Sequence, residues 1–234
     1  MSDDEGILLF EYRGCTFRIG EGAQPPKAGS LLFARHLGVR PGERVLEIGC
    51  GAGLAAVLAA RAGARVIATD IRPEGVACTR DNAARNGVAD AVEVRLGDGF
   101  APVAGLRFDL VCASPPQMPT PPGRERDDAE AAADNGGSDG WALLDRVIRE
   151  APAYLRPEGR LLFTLFGFLG IEGAKARLRA AGLDPVVVAH ERHRFPRIGF
   201  ERLDYLRTLD PEGTLPRDAL PETVDRYVLA GYRR

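Results

Sequence analysis

Short apolar runs alternate with stretches of helical periodicity through most of the chain. Residues 44–48, 65–69, 92–96 and 108–113 are short runs rich in apolar residues and predict strands, the first of them, bounded by Pro41-Gly42 and Gly49, a buried one. Between them, residues 54–62 are rich in alanine and leucine and predict a helix. Residues 73–86 predict a second helix, opened by Pro73 and stopped at Gly87. Further on, the pattern predicts a helix at 141–155, a strand at 160–166, a helix at 172–181 ended by Gly182, and strands at 185–190 and 226–231. Strands and helices in this alternation imply βαβ units and an α/β fold with a mostly parallel sheet.

Two segments fall outside the rhythm. Residues 1–40 hold two β-like runs at 7–12 and 15–19, a turn at Gln24-Pro25-Pro26 and a helix at 30–37. They read as an N-terminal β/helix extension forming part of a pocket, with residues 41–234 as one compact unit. Residues 191–225 separate the last two strands by more than a hairpin needs and read as an insertion that walls a substrate site.

With 234 residues, 45% of them hydrophobic and 27% charged, the chain has the material for one domain with a sizeable core. The net charge of −2 leaves no global basic field, which disfavours nucleic acid and favours a small-molecule substrate. Cys15, Cys50, Cys78 and Cys112 form no Cys-x-x-Cys pair, so neither a zinc site nor a disulfide framework is expected. The acidic start, Met1-Ser2-Asp3-Asp4-Glu5, lacks the features of a signal peptide, and no run is long enough to span a bilayer. A cytoplasmic protein without membrane association is expected, and nothing in the pattern assigns an oligomeric state.

The strongest chemical signal is Glu47-Ile48-Gly49-Cys50-Gly51-Ala52-Gly53, between a strand and a helix. Glycines there let the main chain approach a ligand at the carboxyl end of a sheet, where open α/β sheets bind. Gly-x-Gly-x-Gly alone is shared with dinucleotide enzymes. The third glycine is displaced from the dinucleotide spacing, however. Glu47 at the strand end suits the ammonium of a methionine moiety and offers nothing to a pyrophosphate. Asp70, at the end of the second strand with Ile71 after it, suits ribose hydroxyls. Together these favour S-adenosylmethionine over NAD.

Val45-Leu-Glu-Ile-Gly-Cys-Gly-Ala-Gly53, Val66-Ile-Ala-Thr-Asp70 and Gly97-Asp98-Gly99-Phe100 resemble the class I S-adenosylmethionine-dependent methyltransferases, from about Arg44 to the C-terminus. The resemblance implies a Rossmann-like seven-stranded sheet with helices on both faces and the last strand antiparallel. It also implies that Asp98 meets the adenine amine, with Gly99 beside it; Phe100 packs on the adenine or in the core.

After the fourth strand comes Ser114-Pro115-Pro116-Gln117. Two prolines fix the backbone and hold carbonyls and a small polar side chain rigid. An incoming –NH₂ needs two acceptors for its hydrogens while its lone pair faces the methyl group. This stretch resembles the Asn/Asp/Ser-Pro-Pro-Tyr/Phe motif of methyltransferases acting on adenine, cytosine and glutamine side chains. Residues 135–140 and 155–160 are similar to the enzymes that methylate release factors, and Tyr12-Arg-Gly with Gln24-Pro-Pro to the same family and its ribosomal RNA relatives. Two departures stand out. Ser114 replaces asparagine, and Gln117 replaces the aromatic, losing a stacking surface worth about 1–3 kcal/mol per base. Residues 1–43 are also too few for the helical substrate domain of the release-factor enzymes.

The expected activity is therefore in-line N-methylation of a small amine, amino acid or biosynthetic intermediate, with proximity the main catalytic factor. Ser114, Pro115 and Gln117 form the catalytic set; Glu47, Gly49, Gly51, Gly53, Asp70, Ile71, Asp98, Gly99 and Ser114 form the cofactor set, with no metal. The alternatives are methylation of a protein glutamine or of an RNA or DNA base, and a nucleotide-cofactor protein without transferase activity. His190 and His193 have metal-like spacing without a third ligand and read as solvated. Arg192, Arg194 and Arg197 read equally as a carboxylate site or a solvated loop. Asp127, Asp128 and Glu130 read as an acidic lid, and Tyr12, Phe17 and Phe33 as core residues near the pocket roof.

Overall fold

The computed structural model describes residues 8–20, 23–125 and 135–234; the acidic lid residues 127–130 lie outside them. The apolar runs form β3 (Arg44–Ile48), β4 (Arg65–Asp70), β5 (Val92–Leu96) and β6 (Phe108–Ala113). They are joined by β7 (Leu155–Phe166), β8 (Leu183–Arg194) and β9 (Thr223–Arg233) in one sheet of order β5-β4-β3-β6-β7-β9-β8. β3 through β7 run parallel, and β9 is antiparallel to both β7 and β8. This is the Rossmann-like seven-stranded sheet expected from the sequence.

Side chains alternate between two cores because strand periodicity sends neighbours to opposite faces. Leu46, Ile48, Leu161, Phe163 and Leu165 pack with Leu144, Val147 and Ile148 of α4 (Ala142–Glu150) and Leu178 of α5 (Ile171–Ala180). On the other face Val45, Val66, Leu110 and Leu162 meet α1 (Ala28–Arg35), α2 (Leu54–Arg61) and α3 (Pro73–Arg85). The four cysteines are buried free thiols. Among the described residues, no helix is long and apolar enough to cross a membrane.

β1 (Leu8–Tyr12) and β2 (Cys15–Ile19) form a separate hairpin, turned by Arg13 and Gly14 with φ of +50° and +71°. The hairpin docks on α3 through two side-chain amides. Thr16 and Arg18 donate their backbone N–H groups to the Oδ1 atoms of Asn86 (2.9 Å) and Asn82 (2.8 Å), and both amides donate back to the β2 carbonyls.

Three boundaries differ from expectation. α4 stops at Glu150, because Pro152 lies in a single 3₁₀ turn ahead of β7, which starts at Leu155 rather than 160. β8 runs on to Arg194 and β9 starts at Thr223, with Arg194 opposite Thr223 and Arg192 opposite Asp225. The supposed insertion thus shrinks to residues 195–222, which hold α6 (Arg197–Glu201) and α7 (Leu203–Leu209), with Leu203 and Leu206 buried in the core.

One ion pair ties the start of β3 to β7. Arg160 Nη1 and Nη2 donate to Glu43 Oε1 and Oε2 at 2.7 and 3.0 Å, and Nη2 also reaches the Gly38 carbonyl. Burial pushes the Glu43 carboxyl up, but the Arg160 guanidinium and the Arg40 N–H outweigh it and hold the pKa below the ordinary carboxylate value. A depressed folded-state pKa adds stability above the unfolded value, which is lost as pH falls through the carboxylate range. Glu43→Gln leaves Arg160 largely buried without its counter-charge and is expected to cost about 3 kcal/mol in urea unfolding at pH 7. The difference from wild type should shrink as pH falls below the ordinary carboxylate range and Glu43 itself protonates.

Candidate active site

The order of the sheet reverses between β3 and β6, so the carboxyl ends of these strands open a crevice. Into it runs the loop 49–53. Gly49 and Cys50 donate to the Thr69 carbonyl at 2.8 and 3.0 Å, and Gly51 donates to Asp70 Oδ2 at 2.8 Å. Gly49 and Gly51 have φ of +73° and +51°, and a Cβ at either would meet nothing within 4 Å. The backbone there faces open space that side chains would fill. Gly53 serves differently: at φ +76°, a Cβ would lie 2.9 Å from Thr79 Cγ2, so it allows α2 to pack on α3.

A cavity of about 380 Å³ lies over this loop. Glu47, Gly49, Gly51, Asp70, Ile71, Asp98, Gly99 and Ser114 all line it; Gly53, Pro115 and Gln117 do not. Pro25, Pro26 and Phe33 of the N-terminal segment close its far side. Tyr12 bonds the Leu31 carbonyl, and Phe17 is fully buried. Ile71 is 66% exposed, an apolar side chain left at the cavity edge.

The carboxylates differ sharply. Glu47 is buried and accepts one hydrogen bond from Ala56 N at 2.8 Å, in the first turn of α2. Burial raises its pKa to about 8, against the Ala56 hydrogen bond and with help from the Asp70 charge. Asp70 accepts from Gly51 N and from Arg72 N at 2.9 Å, which orients it at the end of β4. Asp98 is already paired: Arg146 of α4 donates to both of its oxygens, Nη1 to Oδ2 at 2.7 Å, and this pairing holds its pKa low despite some burial. Phe100 stacks on Tyr154 in the core, not against the cavity.

At the far side, Ser114 Oγ lies 3.3 Å from Thr164 Oγ1. Gln117 is buried, and its side chain is consumed by β7. It donates to the Thr164 carbonyl at 2.5 Å and accepts from Phe166 N at 3.1 Å. Its amide therefore splints the Pro-Pro loop to the sheet and does not point to a ligand. A second cavity, of about 180 Å³, is lined by Ser114, Pro115, Pro116, Gln117, Phe166, His193, Arg194 and Arg226, among others. The two cavities share Lys27, Ser30, Ser114 and Pro116.

His190 and His193 take separate carboxylate partners, Asp225 at 2.8 Å and Glu191 at 3.0 Å. Among the described residues, no three His, Cys, Asp or Glu could hold a metal ion. Of the flagged arginines, Arg194 lines the second cavity, Arg192 donates to Thr223 Oγ1, and Arg197 stands out in solvent beside Glu201. Sequence reasoning missed Thr164, Arg146 and Arg226. Only Arg226 left a signal, an arginine opening an otherwise apolar strand.

The family model described as methyltransferase small domain matches residues 23–122. A Methanocaldococcus jannaschii protein provisionally named a protein N5-glutamine methyltransferase is 33% identical over 65% of this chain and 76% of its own length. The release factor glutamine methyltransferase of Cereibacter sphaeroides is 35% identical over 76% of this chain; the chain spans 66% of that relative's length. Among solved structures, the Thermus thermophilus 16S rRNA N2 G1207 methyltransferase, in complex with AdoMet and guanosine, superposes with a TM-score of 0.61 at 19% identity, covering 97% of this chain and 50% of that one. The acceptors in these names are glutamine side chains of proteins and a base of ribosomal RNA. They overturn the expectation of a small-molecule substrate, which rested on Gln117 in place of the motif's aromatic and on the length of the N-terminal segment. With its fold, its glycine loop and these relatives, the chain belongs to the class I S-adenosylmethionine-dependent methyltransferases, in the branch that includes the release-factor glutamine enzymes, and S-adenosylmethionine is its cofactor.

Proposed function

We propose that this protein methylates the side-chain amide nitrogen of a glutamine in a protein substrate. The observation that carries the reading is Ser114-Pro115-Pro116 at the junction of the two cavities, in a chain 35% identical to a release factor glutamine methyltransferase. The cofactor fits the larger cavity on chemical grounds. The open Gly49–Gly51 cradle admits its backbone-facing edge, Asp70 suits its ribose, Ile71 offers an apolar face to the adenine, and Glu47 suits its ammonium. When bound, it supplies a methyl group on a sulfonium. Asp98 reaches the adenine only through an oxygen it also shares with Arg146, so the backbone around Gly99 carries more of that contact. Residues 1–40 act as a pocket wall for the unit 41–234.

An amide nitrogen is a poor nucleophile, and its orientation decides the rate. Ser114 Oγ and the Pro115 carbonyl accept its two hydrogens and turn the lone pair toward the methyl group. As the N–CH₃ bond forms and the S–CH₃ bond breaks, with S-adenosylhomocysteine as the leaving group, the nitrogen gives up one of these protons to water. Positioning within about 3–3.5 Å supplies most of the catalysis. Gln117 acts one step away, because its two bonds to β7 hold these acceptors still.

Incubation with glutamine-containing peptides and S-adenosylmethionine should leave one methyl group on the glutamine amide, located by fragment mass spectrometry. Ser114→Ala should lower kcat by about 10²-fold and change cofactor affinity far less, because the hydroxyl lines the cofactor cavity but its hydrogen bond to the acceptor matters most during transfer. Methyl found on a nucleobase, with no peptide modified, contradicts the proposal.

Glu47 gives a pH prediction. Its raised pKa means that the free protein binds a proton that an ordinary carboxylate would have released. The carboxyl therefore costs stability progressively from about pH 4.5 to about pH 8. An ammonium placed beside it favours the charged form. Cofactor binding at pH 7 should therefore release a proton from this carboxyl, seen as a dependence of the calorimetric enthalpy on buffer ionisation. Glu47→Gln should abolish that release and make the free protein more stable at pH 8. Proton release that is the same in Glu47→Gln removes Glu47 from the ammonium site.

A further inference from the structure

Every ionisable side chain that lines the second cavity is basic: Lys27, His193, Arg194 and Arg226, with no aspartate or glutamate among the described lining residues. The larger cavity beside it is lined by residues of both signs, Glu47, Asp70 and Asp98 with Lys27 and Arg72. The smaller compartment therefore stands apart in having basic side chains alone.

Arg226 sets the character of the smaller one. It lies on β9 opposite Phe166, is only 7% exposed, and its guanidinium carbon sits 3.6 Å from the Phe166 ring centroid. Its Nε and Nη1 are buried and have no hydrogen-bond partner among the described residues. A guanidinium stays protonated at neutral pH, so the site holds a buried charge with unmet donors, which costs several kcal/mol unless an anion compensates it. The fold makes room for it on purpose of position. A Cβ on Gly29 of α1 would lie 2.5 Å from Arg226 Nη2, so glycine there leaves the guanidinium its present position and a larger residue would shift it. The cation–π contact with Phe166 offsets part of the cost but leaves the in-plane N–H groups unanswered.

We propose that this cavity is a carboxylate subsite. It seats a carboxylate of the protein substrate against Arg226, next to the glutamine amide at Ser114-Pro115-Pro116. The inference rests on the glutamine reading for its partner. The relatives named for protein glutamine acceptors favour a peptide carboxylate over the phosphates of a nucleic acid. The carboxylate can come from an acidic side chain near the acceptor or from the substrate's C-terminus; both present the same planar group to the guanidinium.

Four peptides separate the cases, each with one glutamine, with or without a neighbouring glutamate, and with a free or amidated C-terminus. Each is titrated calorimetrically into the protein saturated with S-adenosylhomocysteine, and methyl transfer is measured on the same set. The wild type should bind at least one carboxylate-bearing peptide about tenfold more tightly than the neutral peptide. The arm that keeps the preference identifies the source. R226M should reduce that factor to near one with S-adenosylhomocysteine affinity unchanged, which also reports a folded protein. G29A keeps the charge, crowds the guanidinium, and should reduce the preference as well. The proposal is overturned if the wild type shows no preference, if the preference survives R226M, or if R226M abolishes binding of a short oligoribonucleotide and leaves the peptides unaffected. Transfer to all peptides without preference refutes the subsite and keeps the glutamine reading. Arg226-dependent carboxylate binding without any transfer does the reverse.

Discussion

The site depends on one constraint, the tether of the 49–53 loop to the end of the neighbouring strand. Three consecutive N–H groups of that loop are spent on β4: two on the Thr69 carbonyl and one on the Asp70 carboxylate. This holds the glycines in left-handed conformations with their open side toward the cavity, and it turns Asp70 so that Arg72 N engages its other oxygen. The parallel pairing of β3 with β4 and β6 supplies the geometry, since it brings three carboxyl-terminal strand ends to one edge. The same edge then receives Ser114 from β6 and Thr164 from β7. Cofactor loop and acceptor loop are thus neighbours because their strands are.

Burial divides the labour within this edge. Glu47 lies deep enough that its ordinary state is neutral, whereas Asp98 lies near the surface under the hold of Arg146. A positive group entering the larger cavity therefore finds a carboxyl whose charge it can call up. A negative group entering the smaller one would meet Arg226, protonated at neutral pH although burial lowers its pKa to about 9, with Nε and Nη1 unpartnered among the described residues.

The central strands were legible because β3, β4 and β6 are mostly buried and read as short, largely apolar runs bounded by glycine or polar residues. The outer ends of β8 and β9 were not. There one face is solvated, so Glu191, Arg192, His193 and Arg194 look like loop although they pair with residues 223–226. The helix after the Pro-Pro loop was drawn too long because the apolar pattern runs through Ala151 to Leu155, where Pro152 breaks it. In the site, the glycines, Glu47 and Asp70 stood out through their fixed offsets from strand ends. Gln117 did not reveal its partners, because its bonds to Thr164 and Phe166 join positions far apart in sequence. Asp98 likewise gave no hint of Arg146. The substrate class went astray for a related reason: a missing aromatic at Gln117 and a short segment ahead of β3 say nothing of a second cavity whose ionisable lining residues, among those described, are all basic.

The central claim is that the larger cavity holds S-adenosylmethionine with its reactive end at the junction guarded by Ser114 and Pro116. A crystal structure with S-adenosylhomocysteine tests it most directly. The account predicts the ribose at Asp70, the amino group within hydrogen-bond distance of Glu47 or one water away, and the sulfur facing the second cavity across Ser114. A ligand bound elsewhere, or one whose sulfur faces away from Ser114-Pro115-Pro116, would contradict it.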